Sequence, residues 1–340
     1  EVMYTIIDYL KYYKNISLKD VHWNTMDNLV CAILIYLPSK SFNDNISIPK
    51  LYQRLSNYSE NEKSLMIPKA LEVLNIIKDS KRYKDLIVSD FLKIKNEKTQ
   101  FGACTFKIDG KTIVSFQGTD GSFIGWIENF RLAYEYPTYT HSLAINYLSQ
   151  VASSSSDIVV VGHSKGGNLA MVSAMEIENQ EKVKAIYNFD GPGFRLNEFM
   201  TEKYKNMQQK LINIVPTDSI VGILLNNKNY SVVSSSEHAF KEHYPTTWNT
   251  YGEYFIESKL SNISKQLHES TTKGIEDLDQ EQVKLTFETL FKSVGKSYSK
   301  EFKLTFNDIK NIVNNMKGVD PKVITYINTI IDSMIKAIHN

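Results

Sequence analysis

The stretch Val159–Ala170, VVVGHSKGGNLA, constrains the fold more than any other part of the chain. An apolar run of strand character stops at Gly162, passes through Gly-x-Ser-x-Gly, and continues into helix-forming residues. A chain that turns from strand to helix around one serine crowds its own backbone, so the flanking residues must be small. Gly162 and Gly166 meet that need, and Gly167 permits close packing of helix on strand. The turn lifts the serine Oγ clear of the sheet edge and makes Ser164 a candidate nucleophile. The following helix directs its first N–H groups at the same point, where the Lys165 amide can donate to an oxyanion. The competing reading is a serine in a packed turn.

The surrounding pattern extends the argument. The helical segment HSLAINYLSQVA, the strand DIVVVG, the helix beginning near Lys165 and the strand VKAIYNFD make a β-α-β-α-β alternation. Such alternation predicts a parallel sheet covered by helices on both faces. KLINIVP reads as a further strand and YSVVSSS as the last. Earlier, FGACTFKIDGKTIVSFQGT gives two β-rich runs around Asp109-Gly110, a dipeptide that favours the two-residue hairpin turn. This is the first sheet signal, and the N-terminal third reads as helical, with a restart or kink at Pro68.

From about Tyr251 the strand signal disappears. Asp279 and Gln282 form a capping-box pattern, and Asp320-Pro321 starts a final helix whose Val323, Ile327, Ile330, Ile331 and Met334 share one broad face. With no internal repeat or low-complexity linker, residues 1–340 read as a single domain. It comprises an N-terminal helical region (1–90), an α/β catalytic core (91–250) and a C-terminal helical addition (251–340).

Composition narrows the function classes. The 39 basic and 38 acidic residues leave a formal charge of +1 and no long basic block, so nothing electrostatic points to nucleic acid. Cys31 and Cys104 show no paired or zinc-type spacing and read as small buried apolar residues. The apolar run NLVCAILIYL is about half the length that spans a bilayer, so it reads as a buried helix and no integral membrane segment is expected. A cytoplasmic location is the provisional expectation, because the chain begins at Glu1 rather than methionine and a removed leader stays open. No metal-ligand spacing and no phosphate-binding glycine loop stands in a convincing context, so no cofactor is expected.

VVVGHSKGG and TIVSFQGTDGSFIGWIEN together resemble the class 3 lipases of the α/β-hydrolase superfamily, and the whole chain resembles a bacterial group of lipase-like proteins within it. The resemblance implies an α/β-hydrolase fold with a mostly parallel central sheet and additional N- and C-terminal helices. It also implies a second oxyanion donor at Thr119, where the lipases end a strand in Phe-Arg-Gly-Ser/Thr. Two departures, Gln117 for the usual arginine and Lys165 for the usual leucine, argue against carrying over a neutral-lipid specificity.

The superfamily order of serine, acid, histidine places the other two triad members after Ser164. Of His238, His243, His268 and His339, the last two sit in terminal helices and read as surface residues. His238 and His243 both follow the last strand; EHYPTTW resembles the related group's His-x-x-x-x-Trp pattern and favours His243. Asp218, in INIVPTDSIVG, resembles the lipase acid turn and is preferred to Asp190, which also ends a strand but reads as a cap for the Gly-Pro-Gly turn.

His163 reads as a packed elbow residue, and Lys165 as a rim residue or a contact for an anionic substrate. Trp126 has two readings, a wall of an acyl or alcohol pocket and a packing residue, and Ile223 and Leu224 in IVGILL have the same two, an acyl-groove wall and helix packing. The expected function is a serine esterase or lipase acting on a small-molecule or lipid acyl substrate through an acyl-enzyme. A binding or scaffolding protein that keeps the fold without turnover is the alternative, and a thioester, an amide or an acyl acceptor other than water is a variant of the first. Oligomeric state is left open.

Overall fold

Asp109 and Gly110 take φ angles of 48° and 75°, the left-handed pair that a two-residue hairpin turn needs, and so close the predicted hairpin. The hairpin joins β3 (Gln100–Ile108) to β4 (Lys111–Phe116). In the computed structural model the described residues are 3–58, 66–96, 99–119, 128–129, 131–276, 278–285, 288, 306–315, 317, 321–325, 327–328 and 332. Among them, eight strands form one sheet, ordered as they occur in the chain. β1 (Ile46–Ser47), β2 (Ile87–Lys95), β3 and β4 pair antiparallel. From β4 onward, β5 (Ile158–His163), β6 (Val183–Phe189), β7 (Leu211–Pro216) and β8 (Tyr230–Val233) pair parallel. This is the α/β fold with a mostly parallel central sheet that the sequence implies.

β1 and β2 lie upstream of the first sheet signal seen in the sequence, and β2 breaks its own alternation. Its register against β3 shifts between Ser89 and Leu92, where Asp90 adopts a φ of 50°. A strand with such a bulge no longer sends alternate residues to alternate faces, so its period is lost.

A strand order that rises steadily has a consequence for the layers. Parallel crossovers share one hand, so all of them deliver their helices to the same face. On that face Ala144 and Leu148 of the helix Tyr139–Ala152 and Leu169 and Val172 of the helix Lys165–Glu176 pack on Val114, Val160 and Ile186. The opposite face, carrying Ile113, Val159, Val161 and Phe189, is covered by the N-terminal helices instead. These are α1 (Ile6–Tyr13), α2 (Thr25–Leu34), α3 (Ile48–Leu55) and α4 (Ile67–Ile77), the last with Pro68 in its first turn.

Every residue of α2 from Met26 to Leu34 is buried, including Asp27. The Asp27 carboxylate accepts from Arg82 Nε at 2.9 Å and Nη2 at 2.6 Å, and from the Tyr83 hydroxyl at 2.6 Å. Arg82 also donates to the Val21 and His22 carbonyls. A charge buried this deeply persists only with such a complete set of partners. Cys31 and Cys104 are both buried thiols, as expected.

At the other end, the helix Asn262–Glu276 docks on the loop after β7. The Ser261 amide donates to the Thr217 carbonyl at 2.9 Å, and His268 Nδ1 lies 2.8 Å from the Ile223 carbonyl oxygen. The amide of Glu281 donates to Asp279 Oδ1, in keeping with a helix start there. Val323 and Ile327 are buried, while Ile330, Ile331 and Met334 lie outside the described residues. No described helix is long and apolar enough to cross a membrane.

Candidate active site

Ser164 stands between β5 and the helix Lys165–Glu176 with φ 59° and ψ −133°, a conformation that a non-glycine residue adopts only where its surroundings enforce it. The enforcement is steric. A Cβ at Gly162 would lie 2.0 Å from the Gly166 carbonyl oxygen, and one at Gly166 would lie 2.1 Å from that of Phe116. The Ser164 amide donates to the Phe189 carbonyl at 3.0 Å, pinning the turn to β6.

His243 Nε2 lies 3.0 Å from Ser164 Oγ. The ring sits at the end of a short 3-10 turn, Ala239–His243, in the loop after β8, the position expected for it. His238 begins that turn and is exposed. The second ring nitrogen, Nδ1, lies 2.6 Å from Asp190 Oδ2.

That contact corrects the expected acid, Asp218. β6 pairs directly with β5, placing Phe189 opposite His163, so the residue after each strand, Asp190 and Ser164, stand one strand spacing apart, about 4.8 Å. β7 is the next strand outward, so a residue following it starts about twice as far from the serine. The Asp218 loop steadies that carboxylate instead: Ser219 Oγ donates to Asp190 Oδ1 at 2.6 Å and the Gly222 amide does so at 3.0 Å. The turn-capping role assigned to Asp190 falls to Asn188, whose Oδ1 accepts from the Gly191 amide at 2.8 Å. Asp190 takes a φ of 54°, a left-handed conformation that Asp tolerates better than most residues.

Lys165 departs from expectation in its side chain. It is 2 % exposed and lies neither at a rim nor free for an anionic ligand. Its ammonium pairs with the buried Glu128 carboxylate and donates to the Gln100 carbonyl at 2.9 Å. Its amide is the first of the helix, one of those that helix geometry leaves without an intrahelical acceptor. Thr119 is buried at the end of the β4 loop. A Cβ on the preceding Gly118 would lie 2.9 Å from Ser164 Cβ, so this loop passes beside the serine. Gln117 Oε1 accepts from the Lys93 ammonium, and the Gln117 main-chain N–H donates to the Gly102 carbonyl at 2.8 Å. Ile223 and Leu224 are buried in the loop against which the helix Asn262–Glu276 packs, which favours their packing reading. Trp126 and His339 lie outside the described residues.

Behind Ser164 and His243, His163 Nε2 lies 2.7 Å from the His243 carbonyl oxygen, and its Nδ1 lies 2.9 Å from the Tyr36 hydroxyl. Burial, with the neighbouring His243 ring adding to it, holds the His163 ring well below the ordinary histidine range. Tyr36 and Glu128 were not singled out by sequence reasoning. They come from remote segments and carry no local motif.

Beside the site, Asp218, His238 and Glu242 bring one ligand atom each within 4.8 Å of one another, a spacing that could hold a cation. The Asp218 amide already donates to Glu242 Oε2 at 2.6 Å. Burial raises the Glu242 carboxyl to about 7; the Asp218 amide opposes the rise and the charges of Asp218 and Asp190 add to it.

Comparison with known proteins gives one sequence family. The model of the family described as Mbeg1-like matches residues 77–292. No curated protein matches the chain significantly. Among solved structures, the crystal structure of M37 lipase matches with a TM-score of 0.37 and 14 % identity, covering 58 % of this chain and 68 % of that one.

Proposed function

The chain belongs to the Mbeg1-like family, and from that premise and the contacts around Ser164 we propose that it is a serine hydrolase that cleaves carboxylic esters or lipids through an acyl-enzyme. Ser164 Oγ attacks the acyl carbonyl carbon while His243 Nε2 takes its proton. Asp190 accepts from Nδ1–H, holding the ring in the useful tautomer and stabilising the imidazolium. The amides of Lys165 and Thr119 donate to the oxyanion of the tetrahedral intermediate. Collapse of that intermediate expels the alcohol, which leaves with the proton from His243. Water, deprotonated by the same ring, then attacks the acyl group, and release of the acid restores Ser164.

The observation that carries this reading is the unbroken relay from Ser164 Oγ to His243 Nε2 at 3.0 Å and from His243 Nδ1 to Asp190 Oδ2 at 2.6 Å. A strained serine joined to an imidazole that is in turn held by a buried carboxylate is the arrangement acyl transfer needs. With the Lys165 ammonium held by Glu128, the residue after the nucleophile offers no cation to the substrate, which fits an uncharged acyl group.

A fluorophosphonate probe tests the proposal. Wild-type protein should be labelled at Ser164, Ser164→Ala should not be labelled, and p-nitrophenyl butyrate hydrolysis should disappear with the label. A well-folded wild type that neither labels nor hydrolyses small esters would favour the binding-protein reading.

A further inference from the structure

His163 precedes the candidate nucleophile, yet its ring points behind the triad. Its Nε2 faces the main-chain carbonyl oxygen of His243 at 2.7 Å. A carbonyl oxygen can only accept, so Nε2 carries the ring proton and Nδ1 is a lone pair. The Tyr36 hydroxyl donates to that lone pair at 2.9 Å. Tyr36 follows α2 in the chain, and both it and His163 are 1 % exposed. The two histidine rings lie 4.6 Å apart between centroids, inclined at 35°.

These contacts close a ring of bonds. His163 and Ser164 are joined covalently, the His163 ring holds the His243 main chain, and the His243 side chain returns to Ser164 Oγ. His243 belongs to a loop of short 3-10 turns that is closed at its base by the Ser235–Trp248 bridge, several residues away from the histidine, so a contact at His243 itself bears directly on where its ring stands. A second tether, Trp248 Nε1 donating to the Glu242 carbonyl at 2.6 Å, holds the neighbouring residue but is not connected to the serine.

We propose that His163 is a positioning residue for the hydrolysis: its Nε2–H sets the Ser164–His243 distance through the His243 main chain, and Tyr36 fixes the tautomer that makes this bond. The inference rests on the serine-hydrolase reading. It gives α2 and the residues after it a part in the chemistry as well as in covering the sheet. A ring that stayed charged at this place would repel the imidazolium formed on His243, and burial keeps His163 neutral.

The test compares His163→Phe and His163→Gln with wild type. Phe keeps the ring and loses both nitrogens; Gln supplies an amide donor near the Nε2 position. For p-nitrophenyl butyrate, His163→Phe should lower kcat by about 10- to 100-fold, the scale of a displacement of about 1 Å at a reacting pair, with KM nearly unchanged. His163→Gln should recover most of kcat, and the fluorophosphonate labelling rate should follow the same order. A folded His163→Phe that keeps wild-type kcat and labelling rate overturns the proposal, as does a loss that Gln does not relieve. Wild-type protein with nitrogen-15 in its histidines provides a reading that needs no variant to fold. One slowly exchanging imidazole should be a neutral Nε2–H tautomer coupled across a hydrogen bond to a carbonyl, and a charged or Nδ1–H ring at His163 would overturn it. Absence of labelling in the wild type would instead reject the hydrolase reading itself.

Discussion

Asp190 Oδ2 and His243 Nδ1 meet at 2.6 Å although the two residues are 53 positions apart. Asp218 lies on the loop whose Ser219 and Gly222 steady the other oxygen of the same carboxylate. Asp190→Asn should therefore lower kcat by about 10⁴-fold, because the amide no longer holds the ring in the tautomer that accepts the serine proton. Asp218→Asn should change kcat by no more than about twofold, as for a substitution outside the relay. Steady-state kinetics with p-nitrophenyl butyrate would check both, and the reverse order of effects would restore Asp218 as the acid.

The bond set around Asp27 predicts how firmly the N-terminal helices are held. Arg82→Met leaves the Asp27 carboxylate, with a fully buried side chain, without its cation. Unfolding in urea should show a loss of about 3–5 kcal/mol. Pairing it with Asp27→Leu should return a large part of that loss, since two apolar residues leave no stranded charge.

Lys165 and Glu128 make a similar prediction beside the nucleophile. If the ammonium served to bind substrate, Lys165→Met would raise KM for an anionic ester and leave a neutral one alone. The buried pair predicts instead a lower melting temperature and equal changes in KM for the two esters. Adding Glu128→Leu to the first substitution should raise the melting temperature again.

Stability should depend on pH from two sides. Glu242 is raised from 4.5 to about 7 by burial, so between those values the native state binds more protons than the unfolded chain. Its contribution is complete below pH 4.5 and is lost as pH rises through 7. His141 is lowered from 6.5 to about 4 by burial, against the opposing effect of the hydrogen bond that its Nε2–H donates to Asn168 Oδ1. Its contribution is complete above pH 6.5 and is lost as pH falls toward 4. The two trends oppose each other between pH 4.5 and 6.5, so melting temperatures measured from pH 4 to 8 should fall toward both ends, and Glu242→Gln should remove the decline above pH 6.5.

The features legible along the chain are those that short-range sterics govern. The Gly162–Ser164–Gly166 turn, the hairpin at Asp109-Gly110 and the succession of β5, helix and β6 each follow from neighbours a few positions apart, and all are present. Placing His243 after the last strand drew on the order of the chain and a resemblance. The acid required a different kind of knowledge. Asp190 and Asp218 both follow strands, and only the side-by-side pairing of β5 with β6 makes Asp190 the one within reach. The same holds for Lys165, whose local pattern reads as a rim residue until Glu128 and Gln100 arrive from other segments to bury it. It holds again for the N-terminal helices, which cover a face that crossovers of one hand leave open and which bring Tyr36 to His163. Backbone sterics act between neighbours and can be read along the chain. A hydrogen bond or buried ion pair depends on which segments the sheet order sets side by side, and that is decided only when the layers close.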